Sequence, residues 1–233
     1  MEEKQEDQKA SVITFLLPCY NTPILSSDFL HSVLATKQFD RCAFALLLQT
    51  GDPNLGVYKE LTRSIREKGL DVGYFVFDGT PYCGMVNRVA PIINTHALCV
   101  LNNQHFPHSS GDEIVDVAGA IESWLMQSLE PMRVGVFDKL GNYPVVTKQF
   151  IERLGYMFHP LCFGREEAER WLLVLAERLK IVGMIPDCSI LQSSAETFDP
   201  GGFSTEEELV WILQILMQIA DDETKRLENH LLK

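Results

Sequence analysis

Residues 11–34 read SVITFLLPCYNTPILSSDFLHSVL, and the change of pattern inside this stretch decides the fold class. Residues 11–17 are apolar and β-rich with no polar face, the mark of a strand covered on both sides, and Pro18 ends the run. Cys19-Tyr20-Asn21 is a polar turn. Beyond it Phe29, Leu30, Val33 and Leu34 repeat at helical spacing, with Ser26 and Ser27 as capping hydroxyls. A buried strand followed at once by a helix is the repeating unit of a parallel α/β sheet.

The unit recurs. Residues 42–48 (CAFALLL) form a second buried strand, closed by Gly51-Asp52-Pro53-Asn54. Residues 55–68 are a helix with Leu61 and Ile65 on one face, stopped by Gly69. Residues 72–77 are a third strand, ending in Asp78-Gly79-Thr80-Pro81. A helix over 83–93 follows, with Met85, Val89 and Ile92 inward and Pro91 near its end. Residues 97–101 (ALCVL) are a fourth strand, 113–129 a helix on Val117, Ile121 and Leu125, and 132–137 a further strand. Strict alternation with short loops predicts a mostly parallel sheet with right-handed crossovers. It then weakens: 147–154 and 166–180 read as helices, 181–190 as one irregular strand broken by Pro186, and 192–203 as a loop. Ser204 with Glu207 makes a capping box that opens a helix reaching Leu231. The predicted organisation is an acidic disordered tail over 1–10, an α/β domain over 11–203 and a terminal helix over 204–233.

Composition narrows the function classes. With 233 residues, 46% hydrophobic and 22% charged, the chain carries enough apolar mass for one well-buried core. A net charge of −12 opposes the nucleic-acid backbone and disfavours a nucleic-acid partner. The first ten residues lack the apolar centre of a signal peptide, and the longest apolar runs fall far short of the roughly 20 residues of a membrane span. The expected location is cytoplasmic. Six widely spaced cysteines without a Cys-x-x-Cys pair read as small core residues rather than as a zinc site or disulfide framework. In the terminal helix nine of the eleven residues 209–219 are large and apolar, which covers its whole circumference and predicts burial with a homodimer contact.

In open α/β sheets ligands bind beyond the carboxyl ends of the strands. Those ends carry Pro18-Cys19-Tyr20-Asn21, Gln49-Thr50-Gly51-Asp52, the turn from Asp78 to Gly84, and Asn102-Asn103-Gln104-His105. Polar and turn-forming residues dominate all four. No Gly-x-Ser-x-Gly elbow, phosphate-binding P-loop or Gly-x-Gly-x-x-Gly occurs, so hydrolase and dinucleotide-binding readings lack their usual support.

These segments resemble the family 2 glycosyltransferases. The run Val12-Ile13-Thr14-Phe15-Leu16-Leu17-Pro18-Cys19-Tyr20-Asn21 is similar to the family's opening strand, which ends in Pro-x-Tyr-Asn under the donor nucleotide. Gly84-Met85-Val86-Asn87-Arg88-Val89-Ala90 followed by Leu98-Cys99-Val100-Leu101-Asn102-Asn103-Gln104 resembles the glycine, the helix asparagine and the strand that lead into its Asp-x-Asp. The spacing is kept while amides replace the carboxylates. Phe163-Gly164-Arg165-Glu166-Glu167-Ala168-Glu169-Arg170-Trp171-Leu172 resembles the acidic segment that supplies the general base in inverting members.

The resemblance implies a GT-A fold over residues 11–190 and transfer of a sugar from a nucleotide-sugar donor to a hydroxyl acceptor of unread class. The implied donor-binding residues are Pro18, Tyr20, Asn21, Gly84, Asn87, Arg88, Asn102, Asn103 and Gln104. The implied base is one of Glu166, Glu167 and Glu169. Mg²⁺ or Mn²⁺ is the family's cofactor, yet neutral amides are poor ligands for hard cations. Three alternatives stay open: a catalytically inactive relative kept for binding or assembly, a site in which Arg88 or another cation neutralises the phosphates, and one completed by a group such as His105 or Asp112. A nucleotidyltransferase is a further reading, short of the carboxylates it needs. The residues also have plain structural roles: Asn102-Asn103 suits a turn, and glutamates in a first helical turn favour the helix dipole.

Overall fold

In a computed structural model of the chain, the described residues are 10–101, 105–109, 116–137, 143–162, 164–192 and 219–227. The tail over 1–9, the amides Asn102, Asn103 and Gln104, and residues 193–218 lie outside them. Two overlapping units of strand, helix and strand open the fold: β1 (Ile13–Pro18), α1 (Pro23–Ala35), β2 (Cys42–Gln49), α2 (Leu55–Glu67) and β3 (Asp71–Phe77). Helix α3 (Tyr82–Val89) leads to β4 (Ala97–Val100), β5 (His105–Ser109) and α4 (Val117–Met126). Then come β6 (Val134–Val136), β7 (Val145–Thr147), α5 (Lys148–Leu154), α6 (Arg165–Arg178), β8 (Val182–Met184) and β9 (Cys188–Gln192).

The main sheet has seven strands in the order β3-β2-β1-β4-β7-β6-β8, and β5 and β9 form a separate pair. Strands β1, β2, β3 and β4 run parallel, while β7 lies antiparallel between β4 and β6. Alternate residues of each strand enter different layers, as a two-residue side-chain period requires. Phe15, Phe44 and Cys99 face a core shared with Phe29 and Leu30 of α1, Tyr58 of α2 and Trp124 of α4. Leu16, Leu47, Leu98 and Val146 face the opposite layer, filled by Val86 of α3, Phe150 of α5 and Trp171 and Leu175 of α6. All six cysteines are buried free thiols within these layers.

Several boundaries differ from the sequence expectation. Helix α1 starts at Pro23, whose fixed φ suits a first helical position, so Ser26 and Ser27 are interior rather than caps. The Ser26 hydroxyl donates to Thr22 O at 3.1 Å. Helix α3 stops at Val89 before Pro91, and Ile92, expected inward, is 60% exposed. The helix expected over 147–154 is preceded by a three-residue strand that completes the sheet between β4 and β6. The single irregular strand expected over 181–190 is two strands in two sheets, because Pro186 and the left-handed Asp187 (φ 58°) turn the chain between them. Residues 105–109 pair with β9, where no strand was expected.

Of the terminal helix, residues 219–227 are described and are helical. Ala220 and Leu227 are buried there, Arg178 pairs with Asp221 at 2.5 Å, and Tyr156 Oη donates to Glu223 at 3.2 Å. This part therefore docks on the chain's own α5 to α6 region. Among the described residues no helix is long and apolar enough to cross a membrane.

Candidate functional site

The strand order reverses at β1: the chain moves outward through β2 and β3, then crosses back to place β4 on the other side. At such a reversal the neighbouring loops leave in opposite directions and open a crevice at the carboxyl ends. Leu16 of β1 sits beside Val100 of β4, so the two loops start side by side. The loop after β1 is tightly held by its neighbour. Cys19 N–H donates to Leu47 O at 3.0 Å, and Thr22 N–H donates to the hydroxyl of the buried Tyr58 at 2.7 Å. Asn21 is left-handed (φ 53°), with its N–H on Asp52 Oδ2 at 2.7 Å and its side-chain oxygen accepting from Asn54 Nδ2 at 2.8 Å. Tyr20 is left 48% exposed at the mouth of the crevice.

The next loops continue the same stitching. Thr50 Oγ1 donates to Asp78 Oδ1 at 2.7 Å, and Gln49 Nε2 donates to Thr80 O at 2.5 Å. Gly84 lies in the first turn of α3, where a Cβ would meet the Thr80 methyl at 3.0 Å, a tight contact that glycine avoids. Arg88 is exposed and donates to Thr80 Oγ1 at 3.3 Å. Asn87 has both ends of its amide engaged: Oδ1 accepts from the N–H groups of Met157 and Phe158 at 3.0 and 2.9 Å, and Nδ2 donates to Phe158 O at 2.7 Å. It fastens α3 to the segment before α6.

The acidic segment supplies three different environments. Glu166 is exposed. Glu167 is buried and accepts from the Gly164 N–H at 3.1 Å, which is one half of a capping box; glycine has no side chain to return the other half. Glu169, 6% exposed, accepts from the Tyr143 backbone N–H and lies 3.7 Å from Arg165 Nε, too far for a hydrogen bond. Burial lifts its carboxyl from 4.5 to about 7, against the opposing pull of Arg165 and the Tyr143 N–H. Among the described residues Glu169 Oε1 and the buried Tyr82 hydroxyl have no hydrogen-bond partner.

Antiparallel pairing places this cluster by the crevice. Cys99 faces Val145, and its thiol donates to Tyr143 O at 3.4 Å, so Tyr143 stands at the carboxyl end of β4. Arg165 lies over the Tyr143 ring at 5.0 Å and donates to its hydroxyl at 3.1 Å. Burial raises the Tyr143 hydroxyl to about 12. Tyr82 opens α3 just beyond β3, and burial together with the nearby Glu169 pushes its hydroxyl far up. A carboxyl poised near neutrality beside fixed hydroxyls is chemically suited to accept a proton.

The structure thus brings Tyr20 and Asn21 to one side of the reversal and Glu169 toward the other. It leaves Glu166 in solvent, Asn87 at a helix junction and Arg88 on an exposed face. Asp52, Tyr82, Tyr143 and Arg165 join the site without having been among the candidate binding or catalytic residues. Asp52 and Tyr82 stood in strand-end turns and Arg165 in the acidic segment, which are usable signals; Tyr143 carried none. Among the described residues no group of carboxylates, histidines or cysteines is placed to hold a hard cation, and positions 102 and 104 offer neutral amides.

No family model matches the chain, and no curated protein matches it by sequence. Solved structures do share its fold. S. aureus TarS 1-349 in complex with UDP-GlcNAc superposes with a TM-score of 0.64 over 88% of this chain and 65% of that one, at 8% identity. The same protein in complex with UDP gives 0.63 over 89% and 64%, also at 8% identity. The Pyrobaculum calidifontis mannosyltransferase PcManGT, in complex with GDP-Man and Mn²⁺, gives 0.52 over 76% and 54%, at 11% identity. The chain spans just under two thirds of the length of TarS 1-349. Its architecture is that of a GT-A-type glycosyltransferase fold, with a mostly parallel seven-stranded sheet between helical layers.

Proposed function

We propose that the protein is a glycosyltransferase that takes a sugar from a nucleotide-sugar donor and passes it to a hydroxyl acceptor by inverting displacement, with little or no dependence on a divalent metal. The observation that carries the reading is the juxtaposition at the β1/β4 reversal. A donor loop of Pro18, Tyr20 and Asn21 is held in one conformation on one side, and the raised carboxyl of Glu169 stands by the end of β4 on the other. The resemblance of both segments to family 2 glycosyltransferases supports the same assignment. Of the three glutamates Glu169 is the base in this reading, since Glu167 caps its own helix and Glu166 is solvated. Asn102, Asn103 and Gln104 would complete the donor side, and Gly84 keeps α3 close beneath it. The acceptor class is open.

Calorimetric titration with UDP and GDP, in Mn²⁺ and in chelator, tests the donor half. Binding is expected in both buffers with affinities within about tenfold, or ~1.4 kcal/mol. Absence of nucleotide binding overturns the reading. A second reading, an inactive relative kept for binding or assembly, is favoured by one feature: Glu169 and Glu167 are both buried, and the latter is tied to a backbone N–H. Nucleotide binding without turnover or donor hydrolysis would select it. In either case the apolar run over 209–219 is proposed as a homodimer contact.

A further inference from the structure

Asp52 is a buried carboxylate at the β2–α2 turn that the residue assignments above leave without a role in the reaction. Its two oxygens face in different directions. Oδ1 accepts from the Asn54 N–H at 2.7 Å and shapes its own turn, while Oδ2 crosses to the neighbouring loop and accepts from the Asn21 N–H at 2.7 Å. Asn21 sits at φ 53°, a left-handed conformation that asparagine tolerates better than other non-glycine residues but does not prefer over the ordinary regions, so bonds from its neighbours bias it there. Asn54 reinforces the same point from the side-chain end, donating to Asn21 Oδ1 at 2.8 Å. A charged acceptor makes a shorter and stronger bond to an N–H than a neutral one does.

We infer that Asp52 is a positioning residue for the donor loop: it fixes the backbone of Tyr20-Asn21 in the binding-competent geometry and contacts neither nucleotide nor metal. This rests on the nucleotide-binding reading above. Without the carboxylate, Asn21 relaxes toward ordinary backbone regions, and the free protein must reorder the loop before it binds. The apparent affinity then falls by the fraction of molecules still competent. Because the effect acts through the loop, it is independent of any cation.

The experiment compares wild type with Asp52→Asn, whose amide can accept from only one of the two N–H groups. Dissociation constants for UDP and GDP are measured by calorimetry in Mn²⁺ and in chelator, with amide hydrogen exchange at Asn21 as a second readout. The expected result is a loss of at least tenfold, by the same factor in both buffers, together with faster exchange at Asn21. Asn54→Ala, which removes only the outer bond, is expected to show a smaller loss in the same direction and keeps the test open should Asp52→Asn fold poorly. Unchanged affinity in both variants overturns the inference. A loss confined to Mn²⁺ also overturns it, since it makes Asp52 a metal ligand. Failure of the wild type to bind either nucleotide identifies the donor reading itself as wrong, and the role inferred for Asp52 falls with it.

Discussion

Glu169 is the residue at which burial and chemistry meet. Its carboxyl, raised to about 7, binds a proton more tightly in the folded chain than in the unfolded one, where it titrates near 4.5. Stability is therefore greatest below about 4.5, declines as pH rises from there to about 7, and levels off above. Glu169→Gln removes this term, so its unfolding midpoint is expected to fall less between pH 4.5 and 7.5 than that of the wild type. If Glu169 is the base, transfer rises with pH through about 7, and the same substitution lowers kcat by roughly 10²- to 10⁴-fold. Asn87 calls for a different test. Its three bonds satisfy backbone groups of the fully buried Met157 and Phe158, so Asn87→Ala is expected to cost about 2–3 kcal/mol in chemical denaturation.

At the scale of elements, the short pieces decide how the long ones meet. Strand β7 has three residues, yet it turns the chain antiparallel beside β4 and thereby brings Tyr143 to the end of that strand, over which Arg165 of α6 lies. Lys148, at the start of α5, donates to the carbonyls of Ala90, Pro91 and Ile93 and closes the end of α3. The helix over 219–227 is anchored by Leu227, which is packed in the same layer as Trp171 and Leu175. Leu227→Ala is expected to destabilise the whole domain by about 2–4 kcal/mol, seen as a single shifted transition. By contrast Arg178→Ala, which removes an exposed ion pair, should change stability by less than about 1 kcal/mol. Comparable costs for the two substitutions would mean that charge rather than packing holds this helix.

For the whole molecule, the main sheet separates two apolar layers, and at its carboxyl edge, where the proposed site lies, polar loops after β1, β2 and β3 are bound to one another. Bonds of this kind between loops favour affinity by lowering the ordering cost of binding. Saturating UDP is accordingly expected to raise the unfolding midpoint without changing the denaturant slope, and to do so equally with and without Mn²⁺. The homodimer proposal is settled by sedimentation velocity at micromolar concentration: dimers in the wild type and monomers in Ile212→Glu support it, and a monomeric wild type refutes it.

The sequence by itself determined the parallel first half. In the stretches 11–17, 42–48 and 97–101 the apolar runs are continuous because both faces of the sheet are covered, and that period is visible without any partner. It also marked Pro18 as the end of the first strand, and Tyr20, Asn21 and the glutamates of α6 as polar groups at element ends. Only the tertiary structure decided where those groups go. Asn87 and Glu167 were both expected at the site, but one fastens α3 to Met157 and Phe158 and the other caps its own helix, choices made by neighbours far away in the chain or by a single turn. The strands β5 and β7 escaped notice because three to five residues carry too little periodicity to be recognised, and β8 and β9 were read as one strand because their separation shows only in the pairing that makes them strands. Likewise no local pattern could show that Glu169 lies buried beside Tyr143 and Tyr82, since the low polarity that raises its carboxyl is assembled from α3, α6 and the chain before β7, which meet only in the folded molecule.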